Sequence, residues 1–260
     1  MKTLLFERDA SPGVGILTLN RPEVLNAFNT TMWQELWTLL RELAYDTTLA
    51  CLVIQGAGPR AFSSGGDLKE RNNMSDAAWA AQHQLIEDVL LQIRDFPRPV
   101  IAAVHGIAHG GGIEMALMCD FIIGDDSCDF GLPEVKRGFL PGGGGMQNLV
   151  RAIGVRKTKQ ILYSGARVNA AQAERWGILN ECVASGQHLQ RALEIAREIA
   201  RSAPMAIRSA KTTLQQGSDC DFRSGYALDL AFHNLLVRSE DRLEGIRAFN
   251  EKREPRWTQR

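Results

Sequence analysis

The 260-residue chain lacks long apolar runs and has no excess of charge of either sign. No stretch approaches the roughly 18 apolar residues of a membrane-spanning helix, and the first residues hold too short an apolar run for a signal peptide. Lys plus Arg and Asp plus Glu number 30 each, so the chain as a whole does not attract nucleic acid or an anionic membrane. We therefore expect a cytoplasmic protein with no nucleic-acid and no membrane partner.

Several common site motifs are also missing. There is no GxxxxGK[ST] and no GxGxxG after a strand, which argues against a nucleotide-binding loop, and no GxSxG for a nucleophilic serine. The five cysteines form no CxxC pair, and their odd number favours reduced core thiols in a cytosolic protein. His105 and His109 have the spacing of ligands on a metal-binding helix. However, a strand and a glycine run hold them, so we expect packed or pocket-lining histidines and no metal.

Glycine is concentrated in one stretch, residues 106–145, which holds eleven of the 24 glycines. Glycine gathers where the backbone turns sharply or closely approaches another group. The run 110–112 precedes an apolar segment, 113–118, which predicts a helix that leads into a strand at 121–123. The free N–H groups and positive dipole end of a helix start suit a developing oxyanion.

Two carboxylates bracket this predicted helix, Glu114 and Glu134. They lie twenty residues apart on different elements, so they can face each other across a pocket. Oxyanion donors with two facing acids make an acid–base enzyme site. Each glutamate also has a purely structural interpretation. Glu114 would stabilise the dipole from the second or third position of its helix, and Glu134 would be a solvated turn residue after Pro133.

Strands and helices alternate up to about residue 185, and a purely helical tail follows. The alternation predicts βαβ units, and the tail predicts a cap or an interface element. Residues 71–78 show no clear periodicity, and the segment 71–90 is expected to shape the pocket. Strands are predicted over 13–19, 51–55, 100–105, 121–123 and 178–183. One helix is expected to begin at Asn29, Thr30 or Thr31 and to end at about 43, and another is expected to begin after Asp67 as its cap. Further helices are predicted over 80–96, 113–118, 149–153, 157–163, 170–176, 187–200, 204–215, 226–238 and 240–249.

Five segments together resemble the crotonase (enoyl-CoA hydratase/isomerase) superfamily, in order and in spacing. The resemblance implies an α/β fold, in which a spiral of ββα units at 1–195 carries the active site. A helical C-terminal region at 196–260 would mediate a homotrimer or a dimer of trimers. It also implies an acyl-CoA thioester substrate, with no cofactor other than the CoA of the substrate. The segments are NRPEVLNAF at 20–28, RAFSSGGDLKE at 60–70, GGGIEMALMCDFIIG at 110–124, FGLPEVKRGFLPGGGGMQNL at 130–149 and AFNEKREPRW at 248–257.

The resemblance also implies roles for individual residues. The N–H groups of Ser64 and Gly111 would hold the thioester oxygen. Glu114 would orient and deprotonate a water molecule, and Glu134 would deliver a proton to C2. Phe249 and Lys252 would reach the CoA of a neighbouring subunit, with a solvated terminal charge as the alternative for Lys252. Further substrate contacts are expected at Ala61, Ser63, Gly65, Asp67, Leu68, His109, Leu132 and Gly142.

The expected function is hydration of a trans-2-enoyl-CoA to a 3-hydroxyacyl-CoA, because hydratases of this superfamily keep both glutamates. Double-bond isomerisation, dehydration of a functionalised acyl-CoA and a non-catalytic binding role stay open as alternatives. Four positions depart from common patterns of the family. Glu23 stands where some relatives carry a CoA-binding lysine, and Gly66 and Leu132 replace the usual Ala and Gln. His109 replaces an apolar residue and suits a polar acyl group.

Overall fold

The computed structural model describes all residues, 1–260, as ten helices and ten strands. Two short 3₁₀ turns lie at Pro22–Val24 and Glu134–Arg137. The strands are β1 (Leu4–Arg8), β2 (Val14–Leu19), β3 (Cys51–Gly56), β4 (Ala61–Ser63), β5 (Val100–Val104), β6 (Ile107–His109), β7 (Phe121–Asp125), β8 (Asp129–Gly131), β9 (Arg167–Asn169) and β10 (Glu181–Val183). The helices are α1 (Thr30–Ala44), α2 (Leu68–Arg71), α3 (Asp76–Arg94), α4 (Gly111–Met118), α5 (Gly145–Ser164), α6 (Ala170–Trp176), α7 (His188–Ala200), α8 (Pro204–Gly217), α9 (Phe222–Val237) and α10 (Glu240–Glu251).

The strands form two sheets that the chain visits in alternation. The larger sheet has the order β1-β2-β3-β5-β7-β10 and is parallel except for the β1–β2 pair. The smaller has the order β4-β6-β8-β9, with β4, β6 and β8 parallel. Each of the pairs β3–β4, β5–β6 and β7–β8 places one strand in each sheet before the chain enters helices. This repeat is a spiral of ββα units, so the predicted fold is confirmed.

The central strands of the larger sheet, β2, β3, β5 and β7, are buried on both faces, which explains their continuous apolar sequences. On β3, Leu52 and Ile54 point into the main core, which α1 and α3 cover. The alternate residues Cys51 and Val53 point into a second cluster, which α7 covers with Ala192, Leu193 and Ala196. Helix α7 packs on this sheet and spans residue 195, where the division between the spiral and the C-terminal region was predicted.

Several predicted elements have different bounds in the structure. The helix expected over 80–96 is α3, which begins at Asp76 because Ser75 caps it by accepting from the Ala78 N–H. The short helices expected at 149–153 and 157–163 both lie within α5, where Gly154, with a non-helical φ of 76°, forms a kink between them. Strands β1, β4, β6, β8 and β9 were not predicted. Four of these five have only three residues, too few to show a two-residue periodicity.

The C-terminal helices α8 to α10 project from the spiral with few buried side chains. Helix α9 has none, and large apolar side chains on α9 and α10 are exposed. No helix of the chain combines the length and the apolar character needed to cross a bilayer. The exposed apolar residues of this region include Phe222, Tyr226, Leu230, Leu235, Leu243, Ile246 and Phe249.

Candidate active site

A cavity of about 410 Å³ lies where the glycine-rich loops of the spiral meet α2 and α3. Both glutamates of the predicted site line it, together with the backbone at the start of α4. Its residues include Ser64, Gly66, Leu68, Arg71, Trp79, His83, Ile86, Leu90, His109, Gly110, Gly111, Glu114, Glu134, Arg137, Phe139, Leu140, Gly142 and Gly143.

Glu114 is held in a fixed position by backbone amides from another loop. Its side chain is buried, and its Oε1 accepts hydrogen bonds from Gly143 N at 2.7 Å and Gly145 N at 3.0 Å. It is the fourth residue of α4, within the first turn, and its carboxylate bonds the amides of the other loop and not those of its own helix start. Burial raises the pKa of Glu114 above its ordinary value, although the two N–H donors oppose the rise by favouring the anion.

Glu134 faces the same cavity from the 3₁₀ turn after β8. Only 6% of the residue is exposed, so the interpretation as a solvated turn residue is wrong. Its Oε2 is buried without a hydrogen-bond partner. Burial, reinforced by the negative charge of Glu114, raises the pKa of Glu134 to about 7. At neutral pH the carboxyl is therefore present both with and without its proton, and its free oxygen is available to a ligand.

Two residues on adjoining loops of the cavity, Gly66 and Gly111, have backbone amides without a partner. Neither donates to an acceptor within the chain. The prediction for Ser64 is wrong, because its N–H donates to the Leu25 carbonyl at 2.9 Å and holds that loop in place. Two residues later the chain has turned through Gly65, whose φ is +90°, and the Gly66 amide is free.

The loops carrying these amides are in close contact. A Cβ built on Gly65 would lie 2.7 Å from the His109 carbonyl oxygen and 3.0 Å from Gly111 N, so only glycine fits. A Cβ on Gly112 would lie 2.2 Å from the Ser63 carbonyl oxygen. The glycine run therefore allows the start of α4 to approach the loop after β4, and it brings the two free amides to one end of the cavity.

A buried asparagine braces the loop from behind. Asn26 is fully buried with a positive φ of 53°. Its Nδ2 donates to the carbonyls of Ala57 at 2.9 Å and Ala61 at 2.8 Å, and its Oδ1 accepts from the Arg21 N–H. Ser63 Oγ donates to the Asn26 carbonyl and accepts from the Gly65 N–H. This role was not predicted, although Asn26 lies within the matching segment at 20–28.

Three of the other predicted substrate contacts line the cavity, namely Leu68, His109 and Gly142. Phe249 and Lys252 lie at the end of α10, outside the cavity of their own chain, so their contact with a neighbour's CoA stays a prediction. The remaining five positions do not line the cavity and lie behind its loops, so their contact with substrate stays a prediction. Ala61, Ser63 and Leu132 are buried in the core, Gly65 packs on the start of α4, and Asp67 caps α2 and pairs with Arg21 at 3.0 Å.

The sequence analysis missed the residues that line the far wall of the cavity. They are Arg71, Trp79, His83, Phe139 and Leu140. The first three lie in the segment 71–90 that was expected to shape the pocket, but no motif marked them individually. Nowhere in the chain do three or more His, Cys, Asp or Glu side chains form a group that could hold a metal ion.

Crotonase-fold enzymes share this spiral of ββα units, and the chain has that fold throughout. It belongs to the enoyl-CoA hydratase/isomerase family, whose model matches residues 9–260. It is 39% identical over 249 residues to mouse enoyl-CoA hydratase domain-containing protein 2, mitochondrial, covering 94% of this chain and 84% of that protein. It is 37% identical to 2,3-dehydroadipyl-CoA hydratase of Escherichia coli strain K12, covering 92% and 93%. The crystal structure of enoyl-CoA hydratase from Bacillus anthracis superposes with a TM-score of 0.96 at 34% identity, covering 99% and 100%.

Proposed function

We propose that the protein is an enoyl-CoA hydratase that adds water to a trans-2-enoyl-CoA and forms a 3-hydroxyacyl-CoA. The observation that carries this proposal is the pair of buried carboxylates, Glu114 and Glu134, which line one cavity beside two unpaired amides. Two acid–base groups are what addition of water requires, one for each proton that moves. The reaction needs no cofactor or metal besides the CoA of the substrate.

The free amides of Gly66 and Gly111 provide the electrostatic part of the mechanism. When both donate to the thioester carbonyl oxygen, the conjugated double bond is polarised and C3 becomes electrophilic. Enolate-like charge then develops on that oxygen, beside the positive end of the α4 dipole. A preorganised donor of this kind typically contributes about 3–4 kcal/mol to stabilising the transition state.

The two glutamates differ in their surroundings, which supports different roles. Two N–H donors favour the anion of Glu114, so we assign it to orienting and deprotonating the water that attacks C3. Glu134 has a free oxygen and a pKa of about 7, so we assign it to delivering the proton to C2. Each such group contributes on the order of 10²–10⁴-fold to the rate.

The pKa of Glu134 predicts how hydration depends on pH. Below about pH 7 this carboxyl keeps its proton and can act as the acid, so kcat/KM should fall as pH rises through about 7. At low pH, protonation of Glu114 should remove the base and give a second, acidic limb. The apparent pKa values of the two limbs belong to the coupled pair of glutamates and not to either residue alone. A kcat/KM profile for crotonyl-CoA checks this, and an alkaline limb that persists in Glu134→Gln would contradict the assignment.

Replacing Gly145 by Ala should displace Glu114 without disturbing the fold. The added Cβ would lie 2.8 Å from Glu114 Cγ, and the flexible side chain can move away from it. The carboxylate would then leave its two amide donors, and misplacement on this scale costs roughly 10²-fold in turnover. Crotonyl-CoA hydration and a thermal melt measure the two effects. Gly217→Ala, whose nearest new contact is 3.5 Å, is the control, and full activity in Gly145→Ala would show that the fixed position of Glu114 is not needed.

Product analysis separates hydration from the alternative reactions of the family. Crotonyl-CoA should lose its conjugated absorbance and yield 3-hydroxybutyryl-CoA. Turnover of a different acyl-CoA without hydration of crotonyl-CoA would favour isomerisation or dehydration of a functionalised substrate. His109, which lines the cavity, supports that second candidate because it provides a polar contact beside the acyl group. Binding without any turnover would indicate a non-catalytic role.

We further propose a homotrimer or a dimer of trimers, located in the cytosol. The exposed apolar side chains of α9 and α10 support assembly, because a face of this kind favours burial against another subunit. In that arrangement Phe249 and Lys252 would contact the CoA of a neighbouring subunit. The mass in solution tests the assembly, and cell fractionation tests the location. The mouse relative is named as mitochondrial.

A further inference from the structure

Arg71, the last residue of α2, lines the cavity with its side chain fixed on one edge. Its Nε donates to Gln82 Oε1 at 3.0 Å. Gln82 is itself buried, and its Nε2 donates to Thr30 Oγ1 at 2.7 Å and Glu70 Oε2 at 3.0 Å. The guanidinium also lies 4.7 Å from the centre of the Trp79 ring. These contacts orient the guanidinium plane and leave its terminal Nη edge free.

The free Nη edge has no partner in the chain. Its one hydrogen bond is made by Nε, so neither Nη group donates, and Arg71 forms no ion pair within 4.0 Å of a carboxylate. The other two arginines that line the cavity are exposed: Arg167 pairs with Asp129 Oδ2 at 3.0 Å, and Arg137 donates only to the Pro133 carbonyl at 3.4 Å. A half-buried guanidinium with an open fork has the geometry that binds a carboxylate through two parallel hydrogen bonds.

Arg71 is also close to where the reaction would take place. A Cβ built on Gly66 would lie 3.0 Å from both Cζ and Nη1 of Arg71, so the guanidinium lies against the loop whose amide faces the thioester. The charge of Glu70 acts on it most strongly, and the charges of Glu114 and Glu134 act on it across the cavity. A ligand group bound by Arg71 would therefore lie only a few carbon atoms from the thioester.

We propose that Arg71 selects a short enoyl-CoA whose acyl chain carries a carboxylate a few carbons beyond the double bond. This inference rests on the proposed hydratase function and specifies its substrate class. A purely apolar acyl chain would cover the half-buried guanidinium and leave its Nη groups without a hydrogen-bond partner, whereas a carboxylate would satisfy these donors. The other role that its position allows is direct stabilisation of the enolate oxygen, which would act equally on every substrate.

A matched pair of substrates distinguishes the two roles. trans-2-Pentenoyl-CoA and trans-glutaconyl-CoA differ only in a terminal methyl or carboxylate. Wild-type protein should prefer glutaconyl-CoA in kcat/KM by at least about tenfold, as expected for hydrogen bonds to a charged group. Arg71→Met should lower kcat/KM for glutaconyl-CoA by on the order of 10²-fold, and it should change the value for pentenoyl-CoA little. Arg71→Lys keeps the charge but loses the two parallel donors. Its kcat/KM for glutaconyl-CoA should lie between the values of wild type and Arg71→Met.

The control is Lys69→Met, which removes a positive charge from an exposed position on the same helix. It should leave the ratio of the two kcat/KM values as in the wild type. Equal losses on both substrates in Arg71→Met, or a wild-type preference for pentenoyl-CoA, would overturn the inference. Circular dichroism and the intermediate behaviour of Arg71→Lys show whether the variants are folded.

Binding of the saturated analogues tests Arg71 without any turnover. Glutaryl-CoA should bind wild-type protein more tightly than valeryl-CoA in calorimetry, and Arg71→Met should abolish the difference. If this result holds while no enoyl-CoA is hydrated, the proposed hydratase function fails and the carboxylate site stands. If pentenoyl-CoA is hydrated and glutaryl-CoA gains nothing from Arg71, the hydratase function stands and the carboxylate site fails.

Discussion

Replacing either Glu114 or Glu134 by Gln is expected to lower kcat for enoyl-CoA hydration by about 10²–10⁴-fold. Each substitution keeps the size of the side chain but removes a group that carries a proton. In Glu114→Gln the water would lose its base, and in Glu134→Gln the proton donor to C2 would be missing. Loss of the conjugated absorbance of crotonyl-CoA measures both effects. Unchanged hydration in either variant would exclude the two-carboxylate mechanism.

A stability measurement separates this loss of activity from unfolding. The folded-state pKa of Glu134, about 7, lies above its ordinary 4.5, so the buried carboxyl stabilises the fold while it is protonated. That contribution is fully present below pH 4.5 and is lost as pH rises through about 7. The glutamine of Glu134→Gln cannot ionise. The melting temperature of this variant minus that of wild type should therefore be more positive at pH 8 than at pH 5. A melting temperature well below that of wild type at pH 8 would mean that the substitution damages the fold.

Gly112→Ala is expected to cause a second large loss, by separating the loops that carry the free amides. The new Cβ would lie 2.2 Å from the Ser63 carbonyl oxygen and 3.0 Å from its carbon, and neither backbone atom can rotate away. The start of α4 would have to move, and the amides of Gly66 and Gly111 would no longer meet at one end of the cavity. Losing one such donor typically costs about 10²–10³-fold in kcat.

Gly111→Ala is the reference for this comparison, because it changes the neighbouring residue of the same helix turn. Its added Cβ would lie 3.4 Å from the Phe28 ring, an ordinary contact, and its N–H would be kept. Both variants should be measured for hydration and for thermal stability. Equal activity in Gly111→Ala and Gly112→Ala would show that close approach to Ser63 is not what positions the amides.

The sequence was most informative where a function depends on neighbouring residues. Asn29 and Asp67 cap their helices as their position before apolar segments suggested, and Asn29 accepts from the Met32 N–H at 2.9 Å. The glycine run before α4 and the glutamate within it were also evident from the motif. Such features depend on local backbone geometry and side-chain type, which a sequence states directly.

The predictions that failed concern features that depend on a contact with residues remote in sequence. Ser64 and Gly66 stand in the same glycine-rich motif, and their amides cannot be ranked from it. The Leu25 carbonyl accepts a hydrogen bond from the Ser64 amide, and only the tertiary structure brings these two loops into contact. The three-residue strands were missed for a similar reason, because their partners lie far away in the chain.

The sequence by itself therefore determined the family, the alternation of strands and helices, and the two glutamates. It did so because the alternation follows from periodicity, and the family and its two glutamates follow from the resemblance of five segments in order and spacing. Only the tertiary structure decided which amides stay free, which side chains reach the cavity and how far the pKa of Glu134 rises. It also decided that Arg71 is held with its Nη edge open. Those properties arise from burial and from distances between segments that are remote in sequence, and no local pattern encodes either.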